Sequence, residues 1–175
     1  MPEKTIFVYR LENSALVPKQ ATEDELKFGI WRPGIFSYIP PNSPISYLYL
    51  WMMHVLKIFK NRDYSSYSII DKGRNICSLV CVPALYKWPF MKCNDLQIKN
   101  VFTHKEYRGK GYASRLIQYT LSKTSSRNRI YWYMTDEENI PSQKLCSKIG
   151  FKYVGKYRRK RNRYLLYEGE IVQDK

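Results

Sequence analysis

Between Asn139 and Tyr167 the chain carries neither aspartate nor glutamate, while nine lysines and arginines lie between Lys144 and Arg163. One end of the molecule therefore has a strong positive field, and the formal net charge of +15 points to an anionic partner. Other absences exclude whole classes. The four cysteines, Cys77, Cys81, Cys93 and Cys146, show neither CxxC metal spacing nor the density of a secreted disulfide scaffold. They read as small reduced hydrophobes, so no metal and a cytoplasmic location are expected. The start, Met1-Pro2-Glu3-Lys4-Thr5-Ile6, lacks the basic and apolar segments of a signal peptide. The longest apolar run, Ile45 to Phe59, is fifteen residues and includes His54 and Lys57. A membrane span needs roughly twenty residues with few charges, so none is expected. There is no internal repeat, linker or low-complexity tract. GxGxxG and GxxxxGK[ST] are missing too, which removes the dinucleotide and P-loop readings.

What is present fits one domain spanning residues 1–175, with 44% hydrophobic and 26% charged residues. The sixteen tyrosines supply apolar area with a polar tip and read mainly as core and surface filler. Thr5 to Arg10 predicts a strand and Ala21 to Gly29 a short helix. Pro33, Gly34, Pro40 and Pro41 make Trp31 to Ser43 a loop. Ser43 as N-cap and Pro44 as first helical residue predict a helix running to about Asn61, with Leu48, Trp51, Met52, Val55, Leu56 and Phe59 at helical spacing. Tyr67 to Asp71 and Asn75 to Val82 form a hairpin.

From Asp95 to Thr103 the residues alternate as in a strand. Leu96, Ile98, Asn100 and Phe102 share one face, and Asp95, Gln97, Lys99, Val101 and Thr103 the other. A helix follows Gly111, then a polar loop from Thr124 to Arg129 and a strand from Ile130 to Met134. Asn139 to Ile149 is helical, with Leu145, Cys146 and Ile149 inward and Gly150 as a left-handed cap. Phe151 to Lys156 and Tyr164 to Glu170 are strands joined by the basic stretch Tyr157 to Arg163.

The chemistry concentrates in Thr103-His104-Lys105-Glu106-Tyr107-Arg108-Gly109-Lys110-Gly111-Tyr112-Ala113, between a strand and an amphipathic helix. Its glycines let backbone approach a ligand, and a helix start presents unpaired N–H groups and a partial positive charge. A phosphate-bearing ligand suits that combination. The segment resembles the Arg-x-x-Gly-x-Gly/Ala signature of the GNAT acetyltransferase superfamily, with Arg108, Gly111 and Ala113 in the signature positions. A second block, Asn139 to Phe151, resembles the family's helix that starts with Asn and ends in Gly-Phe, and the two blocks stand in the family's order.

The resemblance implies an α+β fold of the α/β class: a mixed, mostly antiparallel twisted sheet of about seven strands with about four helices. It implies acetyl-CoA as co-substrate. Arg108, Gly109, Lys110, Gly111, Tyr112 and Ala113 would cradle the pyrophosphate. Val101, Phe102 and Thr103 on the preceding strand, with Asn139 and Ser142 on the second block, would hold the rest of the coenzyme. An amine would attack the thioester directly, without an acyl-enzyme.

Two catalytic candidates depart from the family pattern. Cys146 stands where many members carry a Tyr that protonates the leaving thiolate, but on the inward face of its helix it reads first as packing. Asp95 is the carboxylate on the strand before the loop that could serve as base. Arg159 and Arg161, between the last two strands, would meet the acceptor, an anionic small amine such as a nucleotide-linked amino sugar. A peptide or protein amine, and a non-catalytic nucleic-acid or ribosome binder on the same fold, are the alternatives. Monomer and homodimer are both compatible with the sequence.

Overall fold

The β-branched and aromatic residues near the start form strand β1 (Thr5–Glu12). The computed structural model describes residues 5–12, 26–40, 45–84, 88–161 and 167–172, with backbone alone for residues 46, 158–161 and 167–170. Lys27–Trp31, whose first part was expected to end a helix, is instead strand β2, paired antiparallel with β3 (Ser65–Asp71). Phe28, Ile30 and Trp31 favour the extended state, and Gly29 permits close approach, since a Cβ there would lie 2.6 Å from Ser68 Oγ. Residues 21–25, the start of that expected helix, lie outside the described residues.

The next helix is shorter than its apolar spacing predicts. A 3-10 turn (Ile45–Tyr47) leads into α1 (Leu48–Val55), and the expected cap residues Ser43 and Pro44 lie outside the described residues. The helix stops because Lys57 turns left-handed at φ 59° while the Ile58 N–H donates to the Met53 carbonyl. That closure usually falls to glycine, so no local stop signal marks this end. The hairpin of β3 and β4 (Arg74–Pro83) turns on Lys72 and Gly73, with φ of 47° and 78°.

β5 (Leu96–Thr103) does not alternate strictly. Asn100 has φ 51°, and the pairing to β4 shifts from Val80 opposite Lys99 to Ser78 opposite Phe102. This bulge inserts one residue and swaps the faces beyond it. Leu96, Ile98 and Val101 consequently share the core side, while Phe102 is exposed. α2 (Tyr112–Thr124), β6 (Ile130–Asp136) and α3 (Ile140–Ile149) follow as the periodicity indicates. Gly150, at φ 100°, closes α3 in the left-handed region. β7 (Lys152–Arg161) and β8 (Tyr167–Val172) make the last hairpin. The basic residues Arg158 to Arg161 extend β7 instead of forming a loop, opposite Glu170 to Tyr167 in register.

One sheet results, ordered β2-β3-β4-β5-β6-β1-β7-β8, antiparallel throughout except for β5 beside β6. It has eight strands where about seven were expected, with three α-helices among the described residues where about four were expected. β1 is inserted between β6 and β7, a placement that no local pattern encodes. α2 and α3 cover one face over a core that includes Ile98, Leu116, Ile117, Tyr131 and Cys146. On the other face, α1 covers Val80 and Val82, and Trp88, Trp132 and Tyr157 pack around Val8. Among the described residues no helix is long and apolar enough to cross a membrane.

Candidate active site

The parallel pairing of β5 with β6 is brief: Leu96, Gln97 and Ile98 face Tyr131, Trp132 and Tyr133, and the ladder ends there. β5 nevertheless continues to Thr103 and β6 to Asp136. The Asn100 bulge bends β5 at this point, and the Asn100 amide donates to the hydroxyl of Tyr47 at the entry to α1. Beyond Ile98 the β6-facing edge of β5 therefore has backbone groups that no strand takes up, and the sheet is open.

The loop from Lys105 to Gly111 lies past the end of β5. Gly109 and Gly111 have φ of 78° and 81°, in the left-handed region. A Cβ at either position would meet nothing within 4 Å, so the space beside the backbone is free. Gly111 is the N-cap of α2 and no side chain caps it, which leaves the first amides of a thirteen-residue helix directed at that space. Arg108 Nε donates to the Thr103 carbonyl at 3.1 Å and latches the loop to β5. These features fit a pyrophosphate.

A cleft of about 540 Å³ lies between this loop and α3. Val101, Phe102, Thr103, Arg108, Gly109, Gly111, Tyr112 and Ala113 line it from one side, and Asn139 and Ser142 from the other. Lys110, expected in the cradle, does not line it; its Nζ sits 5.3 Å from the Tyr107 ring centroid. Asn139 Oδ1 accepts from the Ser142 N–H at 3.2 Å and caps α3, so that oxygen is already used. Lys144 and Lys148, one turn apart on α3, also border the cleft and add positive charge. The sequence showed their charge and spacing but not that this face meets α2.

A second cavity, about 270 Å³, opens where the sheet splays, lined in part by Gln97, Lys99, Asn100 and Thr135. Val101, Tyr133, Asn139 and Ser142 border both cavities, so the two meet there. Neither catalytic candidate named from sequence reaches either one. Asp95 is 1% exposed, and its Oδ2 accepts from the Lys92 N–H and Trp132 Nε1, each at 2.8 Å. It clamps the turn before β5. Cys146 is 1% exposed in the core under α3, where burial pushes its thiol up to about 12.

Two residues not singled out from sequence occupy the junction. Tyr133 is 5% exposed and its hydroxyl donates to Ser142 Oγ at 3.5 Å. Burial above all raises its pKa to about 12; the Ser142 contact opposes this and Cys146 adds to it. Asp136 at the end of β6 is the sole carboxylate on the lining of either cavity among the described residues. Period-2 alternation along Ile130 to Asp136 pairs Tyr133 with Tyr131 on one face, but only the splay tells it from a core tyrosine. Arg159 and Arg161 are described by backbone alone, opposite Gly169 and Tyr167. Thr5 pairs with Arg158 and Ile6 with Asp136, so the basic end of β7 lies at the same end of the sheet as Asp136.

Fold and cleft together set an uncapped helix start, with left-handed glycines before it, beside a cleft that meets the opening in an α+β sheet. Residues 35–151, more than half of the 175-residue chain, match the family model described as Acetyltransferase (GNAT) family. The chain belongs to the GNAT acetyltransferase family. Among curated proteins, none matches it. A GCN5-related N-acetyltransferase from Sphaerobacter thermophilus is similar in fold, with a TM-score of 0.58 and 16% identity over 90% of this chain and 51% of that one. The tandem GNAT protein from the clavulanic acid biosynthesis pathway has a TM-score of 0.61 and 14% identity, over 90% of this chain and 53% of that one. The glucosamine N-acetyltransferase region of a fungal multi-domain GH3 beta-N-acetylglucosaminidase has a TM-score of 0.57 and 16% identity, over 90% of this chain and 21% of that one. At such identities the likeness shows the fold. The chain spans 60%, 62% and 48% of the length of three further solved structures that it matches.

Proposed function

We propose that the chain transfers an acetyl group from acetyl-CoA to a small anionic amine, of the chemical class of a nucleotide-linked amino sugar, by direct attack on the thioester. The observation that carries this reading is the convergence of the two sequence blocks on one cleft, with every proposed cofactor residue except Lys110 on its lining. Bound acetyl-CoA supplies an activated acyl thioester. The amides of Gly109 to Ala113 hold the pyrophosphate, with Lys144 and Lys148 adding charge, and the open edge of β5 from Lys99 to Val101 positions the arm. Holding both reactants in one geometry accounts for much of the rate.

Two proton positions remain to be supplied, and neither falls to Asp95 or Cys146, which lie off the cleft. Tyr133 keeps its proton throughout the neutral range and holds it at Oη, at the junction where the departing thiolate would need it. Asp136 accepts the ammonium proton at a carboxylate oxygen on the acceptor side of the sheet. The basic end of β7 lies at that end of the sheet and attracts an anionic acceptor.

The test is thiol release from acetyl-CoA across neutral, cationic and phosphate-bearing amines, with Arg159→Ala/Arg161→Ala beside the wild type. Amine-dependent release is expected, with KM for the phosphate-bearing amine raised in the variant and KM for acetyl-CoA unchanged. Equal preference for neutral and anionic amines would remove the acceptor class, and a rise in the acetyl-CoA constant would reassign the hairpin to the coenzyme. One feature favours a peptide acceptor as a second reading. Ile35 and Phe36 are 81% and 90% exposed beside α1, which reaches the splay through Tyr47. Turnover of an apolar peptide amine above all small amines would favour that reading.

A further inference from the structure

A third pocket, about 470 Å³, lies away from the cleft and the cavity that meets it, at the other end of α2. Gly111 opens that helix and Lys123 and Thr124 close it, so thirteen residues, about 20 Å of helix, separate the two sites. Arg32, Arg62, Lys123 and Arg129 line the pocket, against a single carboxylate, Asp63. Asp63 is already committed: its Oδ2 lies 2.5 Å from Arg129 Nη2. Arg129 is itself 4% exposed and spends further N–H groups on the carbonyls of Asn94 and Thr124 and on Asn94 Oδ1, so its work is structural. Arg32, Arg62 and Lys123 have no carboxylate within 4 Å among the described residues.

Three exposed cations around one concavity repel each other, and an anion between them would relieve that repulsion. Two uncharged groups on the same lining point to the same conclusion. His54 Nδ1 and the hydroxyl of Tyr64 are buried without a hydrogen-bond partner among the described residues, and Tyr64 is 1% exposed. Buried polar groups of native proteins normally have partners, so both are available to a ligand oxygen. The volume lies in the range of small-molecule sites. We propose that this pocket binds a phosphate group, with Arg32, Arg62 and Lys123 as its cationic contacts. Two sources share that chemistry, a soluble phosphate-bearing molecule and a lipid headgroup. The second arises because Val55, Leu56 and Ile58, next to His54 in the chain, are 49%, 62% and 43% exposed, and because no Asp or Glu occurs from Leu26 to Arg62.

The test uses the full chain, with pyrophosphate by calorimetry and phosphatidylcholine vesicles with and without phosphatidic acid by co-sedimentation. Arg62→Gln/Lys123→Gln is the pocket variant, and because Arg62 Nη1 also donates to the His54 carbonyl at 2.9 Å, its melting temperature checks that the fold is kept. Gly111→Ala perturbs the anion cradle at the other end of α2. Pyrophosphate binding that weakens about tenfold or more in the pocket variant but not in Gly111→Ala supports the proposal with a soluble ligand. Sedimentation with phosphatidic acid vesicles alone, lost in the pocket variant, supports it with a headgroup. The proposal is overturned if neither probe binds, or if both bind the pocket variant as they bind the wild type.

Discussion

Gly73 and Gly111 offer a controlled test of the cofactor cradle, because both hold nearly the same left-handed φ. Their φ values are 78° and 81°, and a Cβ at either would meet nothing within 4 Å. Replacing either with Ala should cost about 1 kcal/mol, the left-handed strain less the gain from a stiffer unfolded chain. For a chain of this size that lowers Tm by about 2–4 °C. The two sites differ in what lies beside them: Gly111 lines the cleft and Gly73 does not. CoA at about 100 times its Kd stabilises the wild type by about 2.7 kcal/mol, or about 5–10 °C. If the new methyl group removes one amide contact to the pyrophosphate, worth about 2 kcal/mol, affinity falls about thirtyfold. The same CoA concentration then stabilises Gly111→Ala by about 0.9 kcal/mol, a shift of about 2–3 °C. Differential scanning fluorimetry of both variants with and without CoA reads all four numbers. Equal CoA-induced shifts in Gly73→Ala and Gly111→Ala would refute the cradle.

Tyr133→Phe should lower turnover by roughly 10² to 10⁴ with little change in KM for acetyl-CoA, whereas Cys146→Ala should keep turnover near normal, as single-turnover kinetics would show. Asp95→Ala strands the Trp132 and Lys92 donors and should cost about 2–4 kcal/mol in urea denaturation, with CoA affinity kept; a lost affinity and intact stability would reverse that assignment. His54 has its pKa lowered by burial first and by the Arg62 charge second. The unfolded state therefore takes up a proton first, and the stability this group contributes is full above a pH of about 6.5 and declines below it. His54→Gln should flatten the fall in Tm between neutral pH and about pH 5.5, and an unchanged slope would contradict the assignment.

The two motif blocks were legible because each encodes a local backbone event: positive φ at Gly109 and Gly111 before a helix, and a cap, a proline and a left-handed Gly150 around α3. Hairpin β3–β4 and the periodicity of α2 were legible for the same reason. That Asp95 and Cys146 line neither cavity was not legible, because it depends on tertiary geometry. Asp95 was named from strand alternation, which ignores where along β5 the sheet opens, and Cys146 from its family position, although the helical period already placed it inward, where the structure buries it. Tyr133 was hidden among sixteen tyrosines, since only the early end of the β5–β6 ladder distinguishes it. The bulge at Asn100 carries no glycine, and β2 depends on pairing with β3, so neither announces itself locally.

The central claim, that the cleft under the α2 start holds the coenzyme, is tested most directly by an amide chemical-shift titration of the full chain with CoA. The account predicts that the amides of Gly109, Lys110, Gly111, Tyr112 and Ala113 shift together with those of Val101 and Ser142, saturating along one binding curve. Shifts confined to Arg62, Ser65 and Lys123 at the far end of α2, or no saturable shift at all, would contradict it.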